Sequence, residues 1–117
     1  MSTCLFCKII EKEIPSDFVA ENEHVIVIKD IQPKAPIHYL IIPKIHVPTI
    51  NDILDTHEHT IAIQAMWGML RNLAKNLPEP QAFNLIVNNG AASGQRVFHM
   101  HWHFISGKNI YSSGIKL

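Results

Sequence analysis

Three histidines at alternate positions, His99, His101 and His103, are the residues of this chain best suited to do chemistry, and Met100, Trp102 and Phe104 occupy the positions between and after them. In an extended strand successive side chains point to opposite faces, so the imidazoles share one face while the apolar residues pack on the other. On a helix the same three residues would splay by about 200° per two-residue step and could not converge on one small group. The spacing therefore predicts a strand over residues 99–105. A neutral imidazole is nucleophilic near pH 7, with an ordinary pKa of about 6.5, and a neighbouring imidazole can stabilise charge on a phosphoryl group. His101, flanked on its own face by the other two, is the expected nucleophile, and His103 its electrophilic or hydrogen-bonding neighbour. A solvated strand face can carry the same alternation, but three histidines in register, opposite an apolar face and just after a glycine-containing loop, favour a site. No Gly-x-Ser-x-Gly pattern occurs, which argues against a serine nucleophile.

That preceding loop, Asn88 to Gln95, contains Gly90 and Gly94 and is a candidate nest in which backbone N–H groups approach an anion; an ordinary connecting loop is the alternative. A second constellation is Cys4 and Cys7 with His46 and His99, a Cys2His2 set for tetrahedral zinc if the fold brings distant parts of the chain together. Two other readings of the cysteine pair stay open: buried thiols on a small helix face, or a redox pair, although no strand precedes it. His38 opens an apolar strand and belongs either beside the triad or in the core. His24, His57 and His59 read as solvated.

The elements that must position these residues follow from hydrophobic periodicity. Leu5, Phe6, Ile9 and Ile10 predict a short N-terminal helix from Cys4 to about Lys12, with Pro15 shortly after. Phe18–Glu21 and His24–Lys29 predict a hairpin, and His38–Ile42 a third strand that Pro43 terminates for want of an N–H. A long helix begins at the N-cap Thr56, with Ile61, Ala62, Ala65, Met66, Met69, Leu70 and Leu73 on one stripe. Ile63 and Trp67 lie off that stripe and suggest a subunit interface. Residues 82–87 predict a fourth strand, and the tail from Gly107 has no strong pattern, as if ordered by packing on a partner.

With 117 residues, 47% hydrophobic and 17% charged, the chain reads as a single domain over residues 1–117, able to bury about two-thirds of its unfolded surface. Ten basic and ten acidic residues balance, so no overall field attracts a nucleic acid. No apolar run approaches the roughly 20 residues that span a bilayer, and no secretory pattern is present. A cytoplasmic protein with neither nucleic-acid nor membrane partners is expected.

The His-x-His-x-His motif with apolar intervening residues resembles the signature of the histidine triad (HIT) superfamily. Residues 4–10 (Cys-Leu-Phe-Cys-Lys-Ile-Ile), Asp30-Ile31, residues 38–44 (His-Tyr-Leu-Ile-Ile-Pro-Lys) and Gly94-Gln95 are similar to its Hint branch over nearly the whole chain. The resemblance implies an α+β fold, with a five-stranded antiparallel sheet, one long and one short helix, and a sheet continued across a homodimer. It implies hydrolysis of purine nucleoside 5'-phosphoramidates, with AMP-like products, through a nucleotidyl intermediate on His101. His103 and His38 would assist, the latter in a proton-relay network. Asp30 would accept from ribose hydroxyls, Leu5, Phe6, Ile9, Ile28 and Leu40 would wall the base pocket, and Asn88, Gly94, Gln95 and His103 would contact phosphate. Zinc on Cys4, Cys7, His46 and His99 would be structural and not required for the chemistry. Arg96 departs from the small or hydroxyl residue usual at its position; its guanidinium can reach a phosphate or an acidic leaving group. The tail lacks the Trp-Pro-Pro ending of some animal members. A dinucleoside polyphosphate hydrolase of the fragile-histidine-triad type and a non-catalytic nucleotide-binding or interaction module are the competing functions.

Overall fold

The computed structural model describes residues 3–112, 114, 115 and 117. In chain order it contains helix α1 (Leu5–Ile10), strands β1 (Phe18–Glu21), β2 (Val25–Lys29) and β3 (Ile37–Pro43), helix α2 (His57–Lys75), and strands β4 (Asn84–Ile86) and β5 (Trp102–Ser106). Short 3-10 turns lie at Ile50–Asp52 and Ala91–Ser93. The strands form one sheet of order β1-β2-β3-β5-β4, with every neighbouring pair antiparallel. Among the described residues no helix is long and apolar enough to cross a membrane.

Strand β2 explains the layering. Its run Val25-Ile26-Val27-Ile28 is buried throughout, because the sheet is covered on both faces. Val25, Val27, Ile41, Trp102 and Phe104 pack with Met66, Met69 and Leu70 of α2. Ile26, Ile28, Leu40 and Ile42 pack on the other face with Phe6 and Ile9 of α1. The α2 stripe thus meets the sheet as its spacing predicts. Thr56 caps that helix, its hydroxyl accepting from the His59 N–H at 3.2 Å, and Glu58 in the first turn complements the helix dipole. Trp67 remains 46% exposed, although its ring stacks at a tilt 4.9 Å from Trp102.

Several boundaries differ from the sequence expectations, most consequentially at the histidine row. Strand β5 starts at Trp102, so His99 and His101 precede the ladder. The reason lies in its neighbour: β3 ends at Pro43, which has no N–H to donate, and ladder pairing stops at Ile41 opposite Trp102. One backbone hydrogen bond, from Met100 N–H to the Val47 carbonyl at 2.7 Å, steers the approach. The alternation nevertheless holds, for Met100 joins Trp102 and Phe104 in the core beneath α2. Strand β4 covers only residues 84–86, since Ala82 is held by the Ser106 hydroxyl, which donates to its carbonyl at 2.6 Å. The tail expectation falls partly on residues 113 and 116, outside the described residues; before them Asn109 forms a local turn, accepting from Tyr111 N–H at 3.0 Å.

Met66 has no exposed surface in the cluster beneath α2. We expect Met66→Ala to lower stability by about 2–5 kcal/mol through lost transfer energy and a residual cavity, as read by urea unfolding. A loss below about 1 kcal/mol would contradict this packing.

Candidate active site and adjoining metal-ligand cluster

Sheet register assembles the first half of the site. Leu40 on β3 faces His103 on β5, and His38, two residues before Leu40, lies on the same face as a diagonal neighbour of His103. The two imidazoles meet with His38 Nε2 2.9 Å from His103 Nδ1. Asp30 follows β2 directly, and its N–H donates to the His38 carbonyl at 2.9 Å. Its carboxylate then lies beside the pair, with Oδ2 3.3 Å from His38 Nε2 and 3.9 Å from His103 Nδ1. Its other oxygen accepts from the Gln32 N–H at 2.8 Å.

His101 is oriented by its own chain. Its Nδ1 lies 2.8 Å from the His99 carbonyl. A carbonyl only accepts, so the ring proton sits on Nδ1 and Nε2 carries the lone pair. Phe6 of α1 meets the His101 ring edge-on at 4.9 Å, and the His103 ring lies 5.3 Å away. Burial disfavours the imidazolium throughout this group. It lowers the pKa of His101 and of His38, in the latter against the opposing pull of Asp30, and pushes His103 down to about 4. The arrangement therefore offers a neutral nitrogen nucleophile beside a hydrogen-bonded pair of imidazoles and a carboxylate.

The second constellation also converges. The ligand atoms of Cys4, Cys7, His46 and His99 all lie within 4.8 Å of one another. Cys4 caps α1, its sulfur accepting from the Cys7 N–H at 3.4 Å, which sets both thiols at one end of that helix. His99 is fully buried, and its Nε2 lies 2.7 Å from the Pro43 carbonyl. The ring proton must therefore be on Nε2, leaving the Nδ1 lone pair 3.5 Å from each sulfur. His46, at the surface, brings its Nδ1 to 3.3 Å from the Cys7 sulfur. Tetrahedral zinc with Zn–S of about 2.3 Å and Zn–N of about 2.0–2.1 Å holds S and N about 3.5 Å apart, so the spacing suits such an ion. The carbonyl on the far nitrogen of His99 is the support that metal-ligating histidines ordinarily have.

Other residues named from the sequence fall differently. Phe6, Ile9, Ile28 and Leu40 share one buried cluster on the histidine side of the sheet, whereas Leu5 is 44% exposed. The reading of the 88–95 loop as an anion nest is corrected in part, because the N–H groups of Ser93 and Gln95 donate to the Gly90 carbonyl and that of Gly94 to the Ala91 carbonyl. The Gln95 side chain is buried and acts as a staple: its oxygen accepts from the Gly90 N–H at 2.7 Å, and its amide donates to the carbonyls of Pro48 and Val97. Asn88 is half-buried, and Arg96 is exposed on the same loop. His59 is not simply solvated, since its Nδ1 accepts from the Leu54 N–H at 2.8 Å ahead of α2. A surface cavity of about 770 Å³ is lined by Pro36, Phe83, Ser106, Tyr111 and their neighbours, and not by the triad. The groups that sequence reasoning missed are main-chain ones, the carbonyls of Pro43 and His99 above all. Every residue has a carbonyl, so no pattern of residue types could have singled them out.

Residues 11–110 match the model of the HIT domain. The chain belongs to the HIT family. It is 38% identical over 109 residues to the purine nucleoside phosphoramidase of Escherichia coli K12, covering 89% of this chain and 87% of that protein. It is 36% identical over 105 residues to protein HitA of Neisseria gonorrhoeae, covering 90% and 96%. Among solved structures, a HIT family hydrolase from Clostridium thermocellum superposes with a TM-score of 0.86 at 38% identity, covering 100% of this chain and 98% of that one. One from Legionella pneumophila gives 0.84 at 36% identity, covering 95% and 98%. The five-stranded antiparallel sheet with a short and a long helix is thus the HIT fold.

Burial pushes His99, like His103, from the ordinary 6.5 down to about 4. Between these values the unfolded chain binds protons that the folded chain does not, so stability is full above pH 6.5 and is lost as pH falls toward 4. The chelator-treated protein should therefore lose stability progressively across that window. Urea midpoints at pH 7.5, 5.5 and 4.5 check this; a midpoint that holds constant or rises on acidification would contradict it.

Proposed function

We infer that the chain is a hydrolase of purine nucleoside 5'-phosphoramidates, contained in one domain over residues 1–117 and working as a homodimer. The observation that carries this reading is the His101 ring, whose Nδ1 proton is held by the His99 carbonyl, leaving Nε2 as the nucleophile. The names of the E. coli relative and of the HIT hydrolases support it.

In the reaction, His101 Nε2 attacks the α-phosphorus. The new P–N bond to histidine forms as the P–N bond to the amine breaks, the amine taking a proton from solvent that the attacking water returns in the second step. Water then attacks the nucleotidyl-histidine, releasing a nucleoside monophosphate and restoring the neutral ring. His103 supports the phosphoryl oxygens, and His38 links it to Asp30, whose carboxylate would accept from ribose hydroxyls. Phe6, Ile9, Ile28 and Leu40 supply apolar surface for a purine. Zinc on Cys4, Cys7, His46 and His99 would be structural: it would clamp α1, which carries Phe6, against His99, which carries the carbonyl that holds His101.

Two measurements test the two parts. His101→Ala should lower turnover of adenosine 5'-phosphoramidate by at least about 10³-fold, with folding retained by circular dichroism. Comparable turnover in the variant would remove His101 as nucleophile, and a wild type faster on diadenosine triphosphate would move the substrate class. Elemental analysis of protein purified without chelators should find about one zinc per chain, since structural zinc binds with about 10 kcal/mol or more; less than about a tenth would refute the metal assignment.

A further inference from the structure

The loop from Asp30 to Pro36 approaches the histidine pair with its main chain, a part of the molecule that the reaction above does not use. The Lys34 N–H lies 3.0 Å from His38 Nδ1. A backbone N–H only donates, so His38 Nδ1 must be the lone-pair nitrogen. A neutral ring then carries its proton on Nε2, which lies 2.9 Å from His103 Nδ1. His103 Nδ1 must accept, and the proton of that ring is displaced to its own Nε2.

We propose that the Lys34 main-chain amide is a positioning group that sets the tautomers of two imidazoles in series, His38 and then His103, so that His103 presents an Nε2–H donor beside His101. The donor's use toward a phosphoryl oxygen rests on the hydrolase reading; the proton placement itself does not.

The loop is built to hold that amide still. Asp30 closes it at one end, donating to the His38 carbonyl and accepting from the Gln32 N–H. Pro33 and Pro36 restrict its backbone. Gly107, at φ +94°, backs Pro36 so closely that an added Cβ would lie 3.2 Å from the proline ring. The same proton placement separates the two ligand-like clusters. Asp30, His38 and His103 bring their donor atoms within 4.8 Å of one another, as the cysteine-containing group does. Binding a cation through His38 Nε2 would require a proton on Nδ1, directly against the Lys34 N–H. His99 has the opposite arrangement, its lone pair facing the thiols.

Long-range proton–nitrogen correlation spectra of the 15N-labelled full chain read tautomers directly, with His38→Asn and His103→Asn providing assignments. In the wild type at pH 7.5, the Nδ1 of both rings should be pyridine-like and the Nε2 of both pyrrole-like. A pyrrole-like Nδ1 on His38 overturns the proposal, with no variant needed. Lys34→Pro deletes the N–H and should abolish the single tautomer in both rings, whereas Lys34→Ala, which keeps the N–H, should preserve the wild-type pattern. An unchanged pattern in folded Lys34→Pro also overturns it. On adenosine 5'-phosphoramidate, Lys34→Pro should lower kcat by about tenfold or more with KM within about threefold, the split expected when a proton is misplaced while substrate binding is kept. Absence of turnover in the wild type would defeat the hydrolase reading and leave the spectroscopic result to decide the proton placement.

Discussion

A neutral imidazole has two nitrogens and one proton, so a main-chain group that claims one nitrogen dictates what the other can do. Burial keeps the histidines of this site neutral, and a carbonyl or an amide then decides each role. The Pro43 carbonyl turns His99 Nδ1 into a lone-pair donor toward two thiols, and the His99 carbonyl does the same for His101 Nε2. In protonated rings both nitrogens would be donors, and neither assignment would survive. The chemistry of the site therefore depends on desolvation as much as on residue type.

Desolvation in turn depends on a sheet covered on both faces. Helix α2 closes one face with Met66, Met69 and Leu70, which lets Trp102 and Phe104 anchor β5 by their side chains. The short helix α1 covers the other face and places Phe6 against the His99 and His101 rings. That helix is also capped by Cys4, so the element that shields His101 carries, with its cap, two of the four metal-ligand candidates. His99 joins the two regions through its ring and its carbonyl. The metal-ligand cluster and the His101 side chain are thus coupled by one residue's covalent geometry.

The limits of the sequence reading follow the same physics. Side-chain periodicity located α2 and the strand segments, because burying one face of an element imposes a pattern on its residues, and the residue type of Thr56 marked the cap of α2. It overextended β5 toward His99, since side-chain alternation continues where ladder pairing has stopped. It left the 88–95 loop open between an anion nest and an ordinary connection; there Gly90 and Gly94 supply the positive φ of a tight turn in which the N–H groups of Gly90, Ser93, Gly94 and Gln95 donate within the loop. Gln95 has the residue type of a phosphate contact and the environment of a loop staple.

The spacing of His99, His101 and His103 alone determined that three imidazoles share one side of an extended segment, and the pair Cys4 and Cys7 alone marked a candidate metal-binding end of α1. Only the tertiary structure made the three histidines unequal. Which nitrogen of each ring carries the proton is set by carbonyls and an amide brought from Pro43, His99 and Lys34, and such groups are the same in every residue. Their effect exists only once the chain has folded around them.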